Sequence, residues 1–239
     1  MTSQSGRLSV GIIGAGPVGS VLGQALASAG HRVVGVATTS PENIERAQSL
    51  LPDVAITTVP ELLAEADLVL VAIPAAELAQ TVRGLADAAL WRAGQLVAHT
   101  AGEFGYSVLA PATALGAIPL AIHPAMRFTG TSIDLARIRE SYFAVAAPNV
   151  ALPIAQALVI EMGAEPIVIE EADRSAYFEA ISVASGFSAL IVNQAIGLLE
   201  QAGVANPHSV IAPVIRSSVE QALAEGHRPL DPDELVGEL

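Results

Sequence analysis

The sequence predicts a doubly wound, mostly parallel α/β sheet followed by a small all-helical segment, and three observations predict it. Short apolar runs recur through residues 1–171 with helical patterns between most of them, as buried parallel strands and their crossovers require. A glycine-rich turn, Gly14-Ala15-Gly16-Pro17-Val18-Gly19, joins the first run to the first helical pattern. After Glu171 the alternation stops and only helical patterns follow. The expected domains are therefore 1–171, the sheet domain, and 172–239, the helical one.

Taken in order, residues 1–6 (MTSQSG) read as a loose leader, and LSVGIIG as a buried strand ending in glycine. A helix follows from about Val18 to Ala29, closed by Gly30, and then a second strand, RVVGVA. Ser40-Pro41-Glu42 has the chemistry of a helix start: a hydroxyl cap, proline at the first helical position and an acid in the first turn. Further strands are expected at VAIT (54–57), LVLVAI (68–73), QLVAH (95–99), AIPLAIH (117–123), YFAVAA (142–147) and PIVIE (166–170). Residues 172–203 form one long helical pattern ended by Gly203, and a second runs from about Pro207 to Glu225 before the polar tail HRPLDPDELVGEL. So small a helical segment cannot bury a core alone and must pack on the sheet domain or on another subunit.

Composition narrows the function. Of 239 residues, 52% are hydrophobic, enough for a core of Ala, Val, Leu and Ile, and the net charge of −13 without a basic patch argues against nucleic acid. Cysteine is absent, which removes disulfides and thiolate chemistry and accords with a reducing cytoplasm. Lysine is absent too, all 11 basic residues being arginine, so neither a Schiff base nor a lysine proton donor is available. Leu8–Gly30 and Phe104–Met126 mimic membrane signals, but GAGPVG interrupts the first and Pro111, Pro119 and Pro124 break the second. A soluble protein without membrane partners is expected. No two histidines have metal-ligand spacing, so no metal is expected.

The glycine turn follows a strand, opens a helix and leads into a second strand, the context in which GxGxxG binds a dinucleotide. Gly14 permits the tight turn, Gly16 lets the backbone approach a pyrophosphate, and Gly19 lets helix pack on strand, with Pro17 and Val18 between them. The phosphates then sit at a helix N-terminus, where free N–H groups favour anions. At the tip of the second strand an NAD site places a carboxylate for the ribose; here stand Thr38, Thr39 and Ser40. Three hydroxyls at a helix mouth, with Arg46 nearby, favour the extra phosphate of NADP over NAD, while Glu42 counts against it.

With these motifs in place the chain resembles the pyrroline-5-carboxylate reductases and the wider Rossmann set with a 6-phosphogluconate-dehydrogenase-like helical domain. The resemblance rests on GIIGAGPVGSVLGQALASAG, on HTAG at 99–102 and on ASGFSALIVNQAIGLLEQAGV at 184–204. Prephenate dehydrogenases offer a partial echo in His123-Pro124-Ala125-Met126. The resemblance implies a nicotinamide cofactor, with Ile73, Pro74 and Thr100 added to its binding residues, and a homodimer joined through the 172–226 helices. Two departures stand out. IHPAMRF replaces the reductases' usual turn, and relatives nearer this chain pair a histidine with the tyrosine of the long helix, whereas here Tyr177 is followed by Phe178.

The catalytic candidates are His123, Asn193 and His99. Both histidines end strands, where ligands of open α/β sheets bind, and an imidazole there can donate a proton; for each, a histidine bonded to a loop is the competing reading. Glu179, Ser182, Gly186, Ala189 and Asn193 share one helix face, with Asn193 expected opposite His123. Arg127 either clamps a carboxylate or pairs at the surface. His31, His208 and His227 look solvated. The expected function is an NADP-dependent oxidoreductase acting on a small C=N or C=O substrate, the alternative being a non-catalytic NADP(H) sensor or scaffold.

Overall fold

A computed structural model describes residues 7–226; the leader MTSQSG, the polar tail and His227 lie outside the described residues. Contacts divide the chain into two compact units, one running to Ile181 and the other beginning at Ser182.

The first unit alternates strands and helices: β1 (Ser9–Ile13), α1 (Pro17–Ser28), β2 (Arg32–Ala37), α2 (Pro41–Leu50), α3 (Val59–Glu65), β3 (Leu68–Val71), α4 (Ala75–Asp87) and β4 (Leu96–His99). It continues through α5 (Ala110–Thr113), β5 (Ile118–Pro124), α6 (Ile133–Ile138), β6 (Tyr142–Ala146), α7 (Leu152–Met162) and β7 (Glu165–Val168). The sheet order is β2-β1-β3-β4-β5-β6-β7, parallel except where β6 runs against β5, with His123 opposite Ala144. Strands β1, β3 and β4 are buried throughout, because crossover helices cover both faces. One core layer gathers Ile12, Leu22, Leu26, Leu70 and Phe143, the other Leu62, Val69, Leu78 and Trp91. Each fully buried Leu or Ile contributes about 1.5–3 kcal/mol.

The chain passes from β1 outward to β2 and then back across to β3. That reversal opens a crevice at the strands' carboxyl ends, where doubly wound sheets bind ligands. The two segments that mimic membrane signals are broken as their glycines and prolines require: Leu8–Gly30 divides into β1, the turn and α1, and Phe104–Met126 holds a 3-10 turn, α5 and β5.

VAIT is not a strand. It lies beside β2 but makes one bridge, Val36 to Ile56, with hydrogen bonds from Val36 N–H to Ala55 and from Thr57 N–H to Val36. Four residues between the Leu51–Val54 turn and the start of α3 leave no room for a second pair. His31 is not a solvated residue either. It is buried, its Nδ1 accepting from Leu8 N–H at 3.1 Å and its Nε2 lying 2.7 Å from Glu161 Oε2, so it ties the start of β1 to α7. His208 is exposed.

In the second unit the rest of α8 (Arg174–Gln201) continues from Ser182, Gly203 follows at φ +82°, and α9 (Pro207–Glu225) completes it. Its apolar side chains stand in the open: Phe187 is 59% exposed, Leu190 61%, Ile191 60% and Val214 56%. Glu171–Gln201 is long and apolar enough to cross a membrane by length and composition, and none of its most apolar window is buried.

Candidate active site: a glycine-turn cleft and a histidine–tyrosine pair

Sterics explain the glycine turn. Gly14 sits at φ +94°, which a side chain resists, and a Cβ there would also overlap the Ala72 carbonyl. Gly19 lies against the Gly14 carbonyl oxygen, so α1 packs directly on the turn. Gly16 faces open space, with nothing within 4 Å of where its Cβ would be. Hydrogen bonds lock the turn: Gly14 N–H to Ala37 at 2.9 Å, Ser20 N–H to Gly16 at 3.1 Å and the Ser20 hydroxyl to Ala15 at 2.9 Å. Pro17 opens α1, where its missing N–H costs nothing.

Above the turn lies a cleft of about 890 Å³. Of the expected cofactor-binding residues, Gly14, Gly16, Pro17, Thr38, Thr39, Ser40, Ile73 and Pro74 line it. Gly19 is buried beneath the turn, Val18 packs on the core, and Thr100 leaves β4 with its N–H bonded to Val71 at 3.3 Å. Ser40 precedes α2, but its hydroxyl makes no capping bond, so it is not consumed by the helix. Arg46 reaches the same wall, where Nη2 donates to Glu42 at 2.6 Å and Nη1 to Asn43 at 2.6 Å. These residues fit a dinucleotide: a turn with one glycine open to the cleft, a free helix N-terminus and three hydroxyls at the far end.

Along the same sheet edge, β4 and β5 carry the two candidate histidines. His99 is fully buried; its Nδ1 accepts from Ala101 N–H at 3.2 Å and its Nε2 donates to Gly105 O at 2.9 Å. Both nitrogens serve the loop, and burial pushes its pKa down to about 4, so it is a neutral imidazole of fixed tautomer. His123 is half-buried. Its Nδ1 lies 2.8 Å from the Tyr177 hydroxyl, with the rings edge to face at 5.6 Å. Burial first, and the Arg174 charge second, hold its pKa near 4, while burial raises that of Tyr177. The second ring nitrogen, Nε2, points to Gly102, where a Cβ would stand 2.8 Å from it and 2.6 Å from Phe178. Glycine is thus what lets the HTAG turn lie against the imidazole.

Three further residues complete this cluster. Tyr177 does pair with a histidine, but one that comes from β5 rather than from its own helix. Glu171 accepts from Tyr106 N–H at 3.1 Å and Ser107 N–H at 3.0 Å, fastening the 3-10 turn Tyr106–Leu109. Arg174, 1% exposed, has Nη2 bonded to Ala144 O at 3.3 Å and leaves Nε and Nη1 without partners. Asn193 lies in the second unit and is exposed, as are Glu179, Ser182 and Gly186, while Ala189 is half-exposed. Arg127 is exposed beyond β5. Among the described residues no three His, Asp or Glu side chains cluster as metal ligands.

Known proteins give this geometry its setting. Residues 2–124 match the family model of the Rossmann-like domain, and residues 141–230 match a domain of unknown function, DUF2520. No curated protein matches the sequence. Among solved structures the chain is similar to a protein from Bacteroides fragilis assigned as an NADP oxidoreductase, at 22% identity and TM-score 0.72 over 90% of this chain and 80% of that one. It is similar to an imine reductase from Pseudomonas sp. at 15% identity and TM-score 0.68, covering 90% and 74%. A third is the pyrroline carboxylate reductase of Plasmodium falciparum with NADP bound, at 13% identity and TM-score 0.64, covering 93% and 80%. At these identities the likeness is one of fold, and it agrees with the sheet order and the helices that follow. With its glycine turn, its switch-point cleft and residues 2–124 all of that kind, the chain belongs to the Rossmann-like family.

Proposed function

We propose that the protein is an NADP-dependent oxidoreductase that reduces a small C=N or C=O substrate, with His123 and Tyr177 as its proton relay. The observation that carries this reading is the His123–Tyr177 hydrogen bond, placed on the same carboxyl edge of the sheet as the glycine-turn cleft. The fold neighbours described as NADP oxidoreductase, imine reductase and pyrroline carboxylate reductase support it.

NADPH bound in the cleft supplies the hydride. The chain's own residues bind, orient and deliver the proton. A neutral His123 whose Nδ1 accepts from Tyr177 carries its proton on Nε2, the nitrogen facing the Gly102 turn. That proton goes to the substrate nitrogen or oxygen as the double bond is reduced. Tyr177 Oη–H passes its proton to Nδ1 and becomes a phenolate; the relay resets when solvent protonates Nε2 and Nδ1 returns its proton to the phenolate. His99, bonded on both nitrogens, holds the 99–105 loop in place. The relay answers the missing lysine donor: a tyrosine proton passed through an imidazole does the same work. A screen of NADPH oxidation over cyclic imines and 2-oxo acids tests the assignment. Nucleotide binding without turnover on any of them would overturn it in favour of a sensor or scaffold.

NADP(H) is expected to bind more tightly than NAD(H), because the tip of β2, where an NAD site carries its acid, holds the hydroxyls of Thr38, Thr39 and Ser40, and the nearby Glu42 is engaged by Arg46. Thr39→Asp should reverse the preference, since a carboxylate repels a 2′-phosphate and accepts from a 2′-hydroxyl. Glu42→Gln should tighten NADPH several-fold by releasing Arg46 from its ion pair and removing a nearby negative charge. Calorimetry with both nucleotides decides; equal or reversed affinities in the wild type contradict the assignment.

The same proposal includes a homodimer joined through the second unit. Phe187, Leu190, Ile191 and Val214 are more than half exposed, and a groove of about 370 Å³ between α8 and α9 is lined by Val192, Ile196, Ile211 and Ile215. A helix apolar on several sides needs cover on several sides. Light scattering should show a dimer at micromolar concentration, and Leu190→Asp should shift it to monomer. A wild-type monomer, or a chain recovered only with lipid, contradicts it. The lack of cysteine supports a reducing, cytoplasmic setting.

A further inference from the structure

We propose that Arg174 is a positioning residue whose buried guanidinium stabilises the phenolate that Tyr177 becomes when it passes its proton to His123. The inference rests on the relay proposed above. Its own ground is the arginine's surroundings. A guanidinium carries five N–H donors and one full charge, yet the only hydrogen bond its side chain donates among the described residues is from Nη2 to the Ala144 carbonyl, and Nε and Nη1 are buried without partners. No carboxylate lies within ion-pair distance of it among the described residues. Glu171, three residues earlier, spends both oxygens on the backbone N–H groups of Tyr106 and Ser107. Glu171 therefore acts on the guanidinium only through space, and a buried charge with no direct partner is costly.

The register shows where a partner charge would appear. Ala144, which anchors Nη2, is the β6 residue paired with His123 of β5, and Tyr177 follows Arg174 by three residues on the same helix face. The charges and titratable groups that bear on this point are Arg174 and Tyr177 from α8, His123 from β5, His99 from β4 and Glu171 from the preceding 3-10 turn. The cation opposes protonation of both imidazoles and favours the ionised form of Tyr177. In the resting protein the one carboxylate that acts on it is Glu171, from beyond ion-pair distance. After the relay has fired, the phenolate neutralises it, and a fixed charge waiting for one that develops during the reaction is the arrangement that lowers a barrier.

The experiment reads Tyr177 directly. The ultraviolet titration of the wild type, less that of Tyr177→Phe, isolates one phenol from the three tyrosines. In Arg174→Gln the Tyr177 midpoint should rise by about one pH unit or more, and in Arg174→Lys it should return most of the way to the wild-type value. NADPH turnover should fall in Arg174→Gln and recover in part in Arg174→Lys, with nucleotide affinity unchanged. An unmoved Tyr177 midpoint in Arg174→Gln overturns the proposal whatever the turnover. A moved midpoint with unaltered turnover upholds the arginine's hold on the phenol and overturns the relay instead. Should Arg174→Gln fail to fold, Arg174→Met, which keeps the length of the side chain without its charge, makes the same comparison, and an unmoved Tyr177 midpoint there overturns the proposal.

Discussion

His123→Ala is expected to lower turnover by about 10²–10⁴-fold, the range for a positioned proton donor, while NADPH affinity stays within a few-fold of wild type. The separation follows from position: His123 ends β5, whereas the residues lining the nucleotide cleft end β1, β2 and β3. Tyr177→Phe removes the hydroxyl 2.8 Å from Nδ1 and should cost a comparable factor, and the double variant should cost little more than either single one, because residues acting as a unit are not additive. The pH profile carries the sign. With its pKa held at about 4, His123 is neutral throughout pH 5–8, so turnover should be flat there. It should fall as pH rises through the ionisation of Tyr177, which burial places above its ordinary value, because the proton to be relayed is then gone. An inflection near 6.5 would mean that an imidazolium is the acid, and a three-fold loss or less in His123→Ala would remove the histidine from the chemistry.

Most of the sheet was legible because buried parallel strands are written as unbroken apolar runs and their crossovers as helical ones. LVLVAI, QLVAH and AIPLAIH each became a strand at nearly the expected residues. VAIT carried the same signal and made a single bridge. Apolar character at an edge records burial, whereas a ladder also needs length, and this run is cut short by a turn on one side and a helix on the other. His31 failed differently. A histidine after Gly30 has the look of a surface turn, and only the fold brings Glu161, 130 residues later, against its ring.

The cofactor cleft was legible for the same local reason: its turn, helix start and strand tip lie within some thirty residues of each other, so spacing alone brings them together. The reaction end was legible by halves. His123 could be placed because a strand end points at the sheet edge. Its partner lies 54 residues on, and nothing in a helical pattern distinguishes Tyr177 from a packing residue. Arg174 was hidden still more completely. An arginine at a helix start just after Glu170, Glu171 and Asp173 reads as solvated, yet its side chain is 1% exposed beneath a carbonyl of β6. Asn193 stands out in the sequence as the one amide on a polar stripe, a property of the helix alone that says nothing of where the helix lies.

Gly16→Ala and Gly19→Ala, three residues apart in one turn, are expected to fail in opposite ways. Gly19 touches the Gly14 carbonyl oxygen, and a methyl group there would also come within 3.0 Å of the Ala72 side chain. The turn and α1 must part to admit it, at about 1–3 kcal/mol for an overpacked site, which for a chain of this size lowers Tm by roughly 3–10 °C. Nucleotide binding is lost with the geometry of the turn. Gly16 has φ −64° and ψ −178°, values open to alanine before a proline, and its Cβ meets nothing within 4 Å. Gly16→Ala should therefore melt within about 1 °C of wild type. Its methyl, however, stands in the cleft where a pyrophosphate must approach the backbone, so NADPH affinity should fall at least tenfold, about 1.4 kcal/mol or more. Calorimetry and a melting curve on each variant give four numbers. If Gly16→Ala binds NADPH like the wild type, the pyrophosphate does not rest on this turn, and the catalytic assignment at His123 loses its geometric reference with it.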